Sequence, residues 1–367
     1  MPGARWAIGE LVEARKYVMQ TAENALVPPF QRPPSQVAIR RVASYEADLF
    51  ELIYETLREF VERDLSEETA NKTGEISAAK KSRSLMSVPG KTVLLKPNFV
   101  GLDLLGCMNT HPAVIAAARE GFLKLGAERV LIGEGPSMDR DTEAVLESVR
   151  LREYAGRLNG GFVDLNIDDV QRVPLKTRAS KLKELYFPKT VLGADFVVSM
   201  PKLKTHHWAG VTLSLKNMFG IVPGGCYGWP KNVLHWAGID NSILDINAVV
   251  RPDFAIVDGI NAMEGNGPIQ GTPKQANVLV FGNDPVAVDA TCCRIMGLRP
   301  EKVKYLAGAG TLLGHLAAQK IEQMGESIAT VRTPFAVLAD FAGLREDRVG
   351  HRGAESTERE GRPQGRG

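Results

Sequence analysis

Short apolar runs alternate with amphipathic stretches along most of this chain. The apolar runs predict strands at residues 36–42, 92–95, 130–132, 162–165, 196–198, 254–257 and 278–281. The amphipathic stretches predict helices at residues 46–62, 112–125, 240–250 and 286–296. Buried runs separated by helices favour an α/β fold with a mainly parallel sheet and flanking helices, in one body or in two lobes around a crevice.

The two ends of the chain and one internal segment depart from this pattern. An apolar stripe predicts a helix over residues 7–26, within an N-terminal extension of residues 1–35. The α/β core is predicted over residues 36–332, with a polar linker or insertion at about residues 64–90. Residues 333–367 form a C-terminal tail, and we expect disorder from about residue 343 because the sequence there is charged and poor in apolar residues.

Composition excludes several classes of protein. The 367 residues are 44% hydrophobic and 24% charged, as is usual for a soluble globular protein. The net charge of +2 is too small for a nucleic-acid binder that relies on bulk positive charge. No signal peptide and no apolar stretch of about 20 residues is present, so we expect a cytoplasmic protein that does not enter membranes. The four cysteines include no C-x-x-C pair, which excludes zinc-ribbon and ferredoxin spacings.

One segment, residues 199–225, concentrates polar chemistry directly after an apolar run. Its candidate binding and catalytic side chains are Lys202, Lys204, His206, Thr212, Lys216 and Asn217. Lysine ammonium groups suit phosphate or carboxylate, and histidine titrates near neutral pH or binds a metal. A surface loop with solvated lysines would show the same letters, so both interpretations stay open.

Further polar groups follow the apolar runs elsewhere, at or just after predicted strand ends. They are Lys96, Asn98, His111, Glu134, Asp258, Glu264, Gly265, Gly267 and Asp289. Ligands of parallel sheets bind beyond the carboxyl ends of the strands, so we expect these groups to share one crevice. The carboxylates could hold a divalent metal together with His206, or one could be its acid–base partner. His111 fits a helix cap equally well.

Six short motifs stand in order through the predicted core. They are K-P-N at 96–98, T-H-P at 110–112, P-K-L-K-T-H at 201–206, K-N-M-F-G at 216–220, A-M-E-G-N-G-P at 262–268 and D-P-V-A-V-D-A at 284–290. With them the chain resembles the family called domain of unknown function 362. Many members of that family carry an added ferredoxin-like iron–sulfur module, whose cysteines this sequence lacks. The sequence therefore predicts no iron–sulfur cluster within this chain, and the resemblance leaves a separate ferredoxin-like partner open.

A second resemblance concerns the nickel-pincer lactate racemases, whose core contains H-x-x-A-G and a lysine ten residues after the histidine. The matching residues here are His206, Ala209, Gly210 and Lys216. The resemblance implies a catalytic base at His206 and an anchor for cofactor or substrate at Lys216. The chain departs from the racemases at residues 133–135, where they carry a second catalytic histidine. That departure speaks against two-base racemisation and against the nickel cofactor.

These observations leave two functions open. The first is an enzyme that binds a small anionic substrate or cofactor and performs acid–base chemistry of the isomerase or racemase kind, or redox chemistry. His206 and Lys216 would be catalytic, with Glu264 or Asp258 as partner, and a divalent metal could assist. The second is a non-catalytic protein that binds a metal, a cofactor or an iron–sulfur partner. The sequence does not identify the cofactor.

Overall fold

The computed structural model describes residues 34–70, 84–137, 141–154, 161–175 and 177–346. The helix predicted over residues 7–26 and most of the predicted C-terminal tail lie outside these ranges. None of the helices in the described ranges combines the length and the apolar character that crossing a bilayer requires.

The strands of the described chain are numbered here in sequence order. They are β1 (Ser35–Arg41), β2 (Thr92–Pro97), β3 (Arg129–Glu134), β4 (Phe162–Asp164), β5 (Val170–Pro174), β6 (Glu184–Pro188), β7 (Phe196–Met200), β8 (Lys202–His206), β9 (Gly210–Thr212), β10 (Phe254–Asn266), β11 (Gln270–Gly282) and β12 (Ile321–Gly325).

The α-helices are numbered in the same way. They are α1 (Leu49–Ala70), α2 (Pro112–Lys124), α3 (Thr142–Ser148), α4 (Leu151–Tyr154), α5 (Lys189–Gly193), α6 (Ser214–Asn217), α7 (Gly224–Tyr227), α8 (Asn232–Trp236), α9 (Ile239–Val249), α10 (Pro285–Ile295), α11 (Lys304–Leu312) and α12 (Ile328–Val331).

One large sheet organises the chain, in the order β12-β1-β11-β10-β7-β2-β3-β4. Strands β10, β7, β2, β3 and β4 pair in parallel, whereas β11 is antiparallel to both of its neighbours. Strand β8 continues beside β10 in parallel and pairs with β9 in an antiparallel hairpin. The predicted α/β class with a mainly parallel sheet is confirmed.

Both faces of the sheet are buried, which explains why its strands are continuous apolar runs. Successive side chains of a strand point to opposite faces. In β2, Val93 and Leu95 join the core that packs against α1 and α2, whereas Leu94 joins the core on the other face. Helices α9, α10 and α11 cover that second face through residues such as Ile243, Val286 and Tyr305. The result is a helix–sheet–helix sandwich.

Two sequence predictions about local structure are wrong. The strand predicted over residues 254–257 is too short, because β10 continues to Asn266 and pairs with β11 along a long antiparallel hairpin. Glycine and asparagine are poor strand formers, and cross-strand hydrogen bonds hold them in this conformation. Helix α1 also continues to Ala70, into the segment predicted as a linker, whose residues 71–83 are not described.

A buried ion pair joins the carboxyl ends of β2 and β3. The Lys96 ammonium group donates to the Glu134 carboxylate at 2.6 Å, to the Pro97 carbonyl at 2.7 Å and to Asn217 Oδ1 at 3.2 Å. The side chains of Lys96 and Glu134 are 0% and 2% exposed. Glu134 also accepts the backbone N–H groups of Phe99 and Gly135. Because every hydrogen of the ammonium group is used, this pair fixes two strands and α6 relative to each other.

We expect Lys96→Met to lower the free energy of unfolding by about 3–5 kcal/mol, because Glu134 would remain buried without its cation. Urea unfolding followed by circular dichroism measures this loss. Lys91→Met is the matched control, since Lys91 is half exposed and lies 3.9 Å from the equally open Asp195. The control should change stability by less than about 1 kcal/mol. Equal losses in the two variants would contradict a structural role for the buried pair.

Candidate functional site

Strand β8 presents three titratable side chains on one face. Alternation along the strand puts Lys202, Lys204 and His206 on the same side. The intervening Leu203 lies in the hydrophobic core, and Thr205 donates its hydroxyl to the Gly265 carbonyl. Both lysines are 0% exposed and His206 is 5% exposed. A buried strand with this composition is unusual, because each buried charge needs compensation.

Lys204 has no carboxylate partner among the described residues. Its ammonium group donates to the carbonyl of Met108 at 2.8 Å. Thr212 lies directly opposite it on β9, and the buried Thr212 Oγ1 has no hydrogen-bond partner within the described ranges. Burial, together with the nearby cations Lys216 and Lys202, lowers the pKa of Lys204 to about 7. This pair therefore offers a cation and a free hydroxyl side by side.

Lys216 is carried by α6, the short helix that follows β9. The Asp289 carboxylate of α10 anchors this helix by accepting the backbone N–H groups of Ser214 at 2.7 Å and Leu215 at 3.0 Å. Burial raises the pKa of Asp289 to about 7. The Lys216 ammonium lies 4.3 Å from the centre of the Phe219 ring and has no carboxylate partner in the described part of the chain. Burial and the charge of Lys96 lower the pKa of Lys216 to about 8.

His206 is held neutral in a defined tautomer. Its Nδ1 accepts the backbone N–H groups of Trp208 at 3.0 Å and Ala209 at 3.2 Å. The neutral ring therefore carries its proton on Nε2. Burial and the charge of Lys216 hold the pKa of His206 well below its usual value. At neutral pH this side chain presents an N–H donor at Nε2, so the geometry favours a donor over the predicted base.

A series of aromatic rings in contact with one another connects His206 to Lys216. We call this set the collar, and its members are His206, His207, Trp208, His235, Phe219 and Lys216. Successive ring centres are 5.0, 4.7, 5.0 and 5.0 Å apart, and the Lys216 ammonium follows at 4.3 Å from the last ring. The charge of Lys216 also lowers the pKa of His206. His206, the first ring of the collar, lies two residues after Lys204 on the same face of β8.

The glycines of this region let the β8–β9 hairpin form. Gly210 has φ +82°, in the left-handed region, and a Cβ there would lie 2.9 Å from Leu344. A Cβ on Gly267 would lie 2.2 Å from the Thr205 carbonyl oxygen. The carbonyl of Gly267 also accepts from Nδ1 of His207 at 2.8 Å. Gly267 therefore packs closely against β8, and its predicted role in binding stays a prediction.

Lys231 is a functional candidate that the sequence predictions missed. It is 0% exposed, has a left-handed φ of +67°, and donates to the carbonyls of Gly220 at 2.8 Å and Gly135 at 3.1 Å. Burial lowers its pKa to about 7. A non-glycine residue in this conformation is strained and needs strong support from its surroundings. Its position in a glycine-rich loop, directly after a proline, was the available signal.

The remaining predicted carboxylates are occupied by protein partners. Asp258 binds the Lys202 ammonium at 2.7 Å and accepts the Tyr45 hydroxyl at 3.0 Å and the His111 backbone N–H at 2.9 Å. Burial and Asp258 raise the pKa of Tyr45 far above its usual value. Glu264 lies 3.3 Å from Lys274 and accepts the Ala336 backbone N–H at 2.8 Å. Neither carboxylate is free to assist His206.

The predicted residues thus fall into separate groups. One group contains His206, Lys204, Thr212 and Lys216. The other is the buried ion pair of Lys96 and Glu134 with Asn217, which we call the clamp, and its hydrogen-bonding groups are all used within the protein. Asn98 belongs to the loop after β2, where its backbone N–H is donated to Thr110, and its buried Oδ1 has no partner within the described ranges.

His111 caps α2, as Nδ1 accepts the Ala113 N–H at 3.2 Å, and it stacks on Tyr45 with ring centres 3.7 Å apart. Gly265 has φ +81° and donates to the Ala336 carbonyl. Within the ranges that the structure describes, no three His, Cys, Asp or Glu side chains converge to hold a metal ion.

Comparison with known proteins places the chain in a family. One relative is a thylakoid-associated protein of Synechocystis sp., which is 31% identical over 229 residues, 60% of this chain and 67% of that protein. The resemblance to the lactate racemases stays a prediction. The sequence model of the family described as Domain of unknown function (DUF362) matches residues 93–294, which include β8, α6 and every residue of the collar, and this chain belongs to that family.

Proposed function

We propose that this protein binds a small anionic substrate or cofactor at Lys204 and Lys216 and performs acid–base chemistry on it. The observation that carries the proposal is the presence of two neighbouring lysines without carboxylate partners in the described chain. Lys96 and Lys202, by contrast, each have a buried carboxylate at 2.6 or 2.7 Å. Buried charges are paired as a rule, so an anionic ligand is the natural counter-charge for the fully buried Lys204, and the partly exposed Lys216 adds a second cation.

The chemistry follows from the protonation states. With pKa values of about 7 and about 8, Lys204 and Lys216 each exchange protons readily at neutral pH. One ammonium group can hold the anion while the other lysine, as a neutral amine, accepts a proton. The Nε2–H of His206 and the Thr212 hydroxyl can stabilise negative charge that develops on the ligand. This assignment supports proton transfer of the isomerase or racemase kind, with a lysine as the base.

A non-catalytic binding protein is the second candidate. The carboxylates Glu134, Asp258 and Glu264 are all held by protein donors, so none of these three is free to act as a second catalytic group. A relative named for its association with thylakoids is compatible with a protein that acts by binding. The cytoplasmic location and a ferredoxin-like partner stay predictions.

Binding of an anion at Lys204 should stabilise the folded protein. Phosphate or acetate at 100 times its dissociation constant would add about 2.7 kcal/mol of stability and raise Tm. The rise should be larger at pH 6 than at pH 9, because both lysines are cationic below their pKa values of about 7 and about 8. Differential scanning fluorimetry measures Tm. Lys204→Met should abolish the rise, and the ligand-free variant should be at least as stable as the wild type at pH 6, since an unpaired buried charge is removed.

Lys181→Met is the control for this experiment, because Lys181 is exposed. It should keep the full anion-induced rise in Tm at both pH values. If Lys204→Met keeps the rise, or if the rise is independent of pH, the proposed anion site is wrong.

The amine of Lys216 should titrate well below an ordinary lysine. Only the neutral amine reacts with acetic anhydride, so its labelling rate should reach half of its plateau near pH 8 rather than near 10.5. Mass spectrometry of the labelled peptides measures the rate, with Lys183 as an exposed internal reference. Bound phosphate stabilises the cation and should move the midpoint upward. An unshifted midpoint for Lys216 would remove the chemical basis of the lysine-base assignment.

Proton exchange separates the enzyme from the binding protein. An acid–base enzyme should incorporate deuterium from D₂O next to the carboxylate of those small 2-hydroxy acids that raise Tm. Lys216→Met should lose at least 100-fold of that exchange rate, the lower end of what general acid–base catalysis contributes, about 10²–10⁴. Mass spectrometry of the recovered acid gives the rate. Binding without exchange in the wild type would favour the second candidate.

A further inference from the structure

Trp208 is a member of the collar that has no role in the proposed anion chemistry. Trp208 is 55% exposed, although its ring contacts His207 and His235 on either side with ring centres 4.7 and 5.0 Å away. Phe219, farther along the collar, is only 4% exposed. Tryptophan is enriched at binding interfaces, because its indole combines a large apolar face with a polar N–H group.

Burial changes in one direction through this place. Lys204 is 0% exposed, His206 is 5% exposed, and Trp208 at the turn of the β8–β9 hairpin is 55% exposed. Along this series of residues, the positive charge of Lys204 therefore lies at the buried end and the aromatic surface of Trp208 lies at the solvent-exposed end. A ligand that satisfies both ends must be negative at the tip that enters and apolar in the part that stays near the rim.

The two histidines beside Trp208 are fixed by backbone acceptors. Nδ1 of His207 donates to the Gly267 carbonyl at 2.8 Å, and Nδ1 of His235 donates to the Lys231 carbonyl at 3.1 Å, because a carbonyl oxygen can only accept. Burial lowers the pKa of His235 to about 4. His235 is thus a neutral flat ring at neutral pH, and both rings support the position of the indole.

We propose that the ligand of this site is an organic anion with a flat apolar group, whose carboxylate or phosphate enters toward Lys204 and Lys216 while the flat group lies on the Trp208 indole. This inference rests on the proposed anion site and adds the class of ligand. Stacking on an indole that is already held in place adds affinity, because few rotatable bonds are lost. Inorganic anions would occupy only the inner end.

Two matched pairs of probes test the proposal: acetate against benzoate, and inorganic phosphate against phenyl phosphate. Dissociation constants come from thermal-shift titrations of the full chain at pH 6. We expect the aromatic member of at least one pair to bind about tenfold more tightly than its plain partner, the size of one aromatic contact. Trp208→Ala should bring that ratio below about threefold while the plain anion keeps its affinity within about twofold.

Trp236→Ala is the control, because Trp236 is 80% exposed and has no ring contact with the collar among the described residues. It should keep the tenfold ratio. Equal affinities within both pairs would overturn the flat-group proposal and leave the anion site standing. Loss of the ratio in Trp236→Ala but not in Trp208→Ala would also overturn it. If none of the four probes binds, the anion site itself fails, and the two failures are thereby distinguished.

Discussion

Buried positive charge at the carboxyl ends of the sheet is the constraint on which this structure depends. Four lysines, Lys96, Lys202, Lys204 and Lys231, have no exposed surface. Two of them are neutralised by Glu134 and Asp258, which accept further backbone N–H groups and so become fixed points of the fold. Lys204 and Lys231 have only carbonyl acceptors within the described chain. Because burial disfavours the charged form, the pKa values of both lysines are lowered to about 7.

In this arrangement, the residues that stabilise the fold are different from the neighbouring residues that we propose for binding. The clamp formed by Lys96 and Glu134 is saturated, so it can hold β2, β3 and α6 in place without taking part in binding. Lys216, carried by that same α6, keeps an amine free of carboxylates in the described chain. Asp289 supports it from α10 by accepting two backbone N–H groups. An unpaired buried cation costs stability, and natural sites accept such a cost where a ligand supplies the missing charge.

Histidine tautomers decide what each ring of the collar can do. His206 uses Nδ1 as an acceptor and presents a donor at Nε2, whereas His207 and His235 use Nδ1 as a donor toward carbonyl oxygens. The letters H-H in the sequence could not distinguish these opposite roles. The difference arises because one ring faces backbone N–H groups at the hairpin turn and the others face carbonyl oxygens.

The sequence by itself determined the fold class, most of the parallel strands and the segment that carries the chemistry. Strands that are buried on both faces are short, continuous apolar runs, and such runs can be recognised from adjacent residues in the sequence. Only the tertiary structure decided that β10 extends to Asn266, because the hydrogen bonds of that extension come from β11. It also decided which polar groups are free. Lys96 and Lys204 both follow apolar runs, and only their partners, Glu134 for one and a lone carbonyl for the other, distinguish a structural clamp from a candidate site. Such pairing depends on residues far apart in the chain, which no local pattern records.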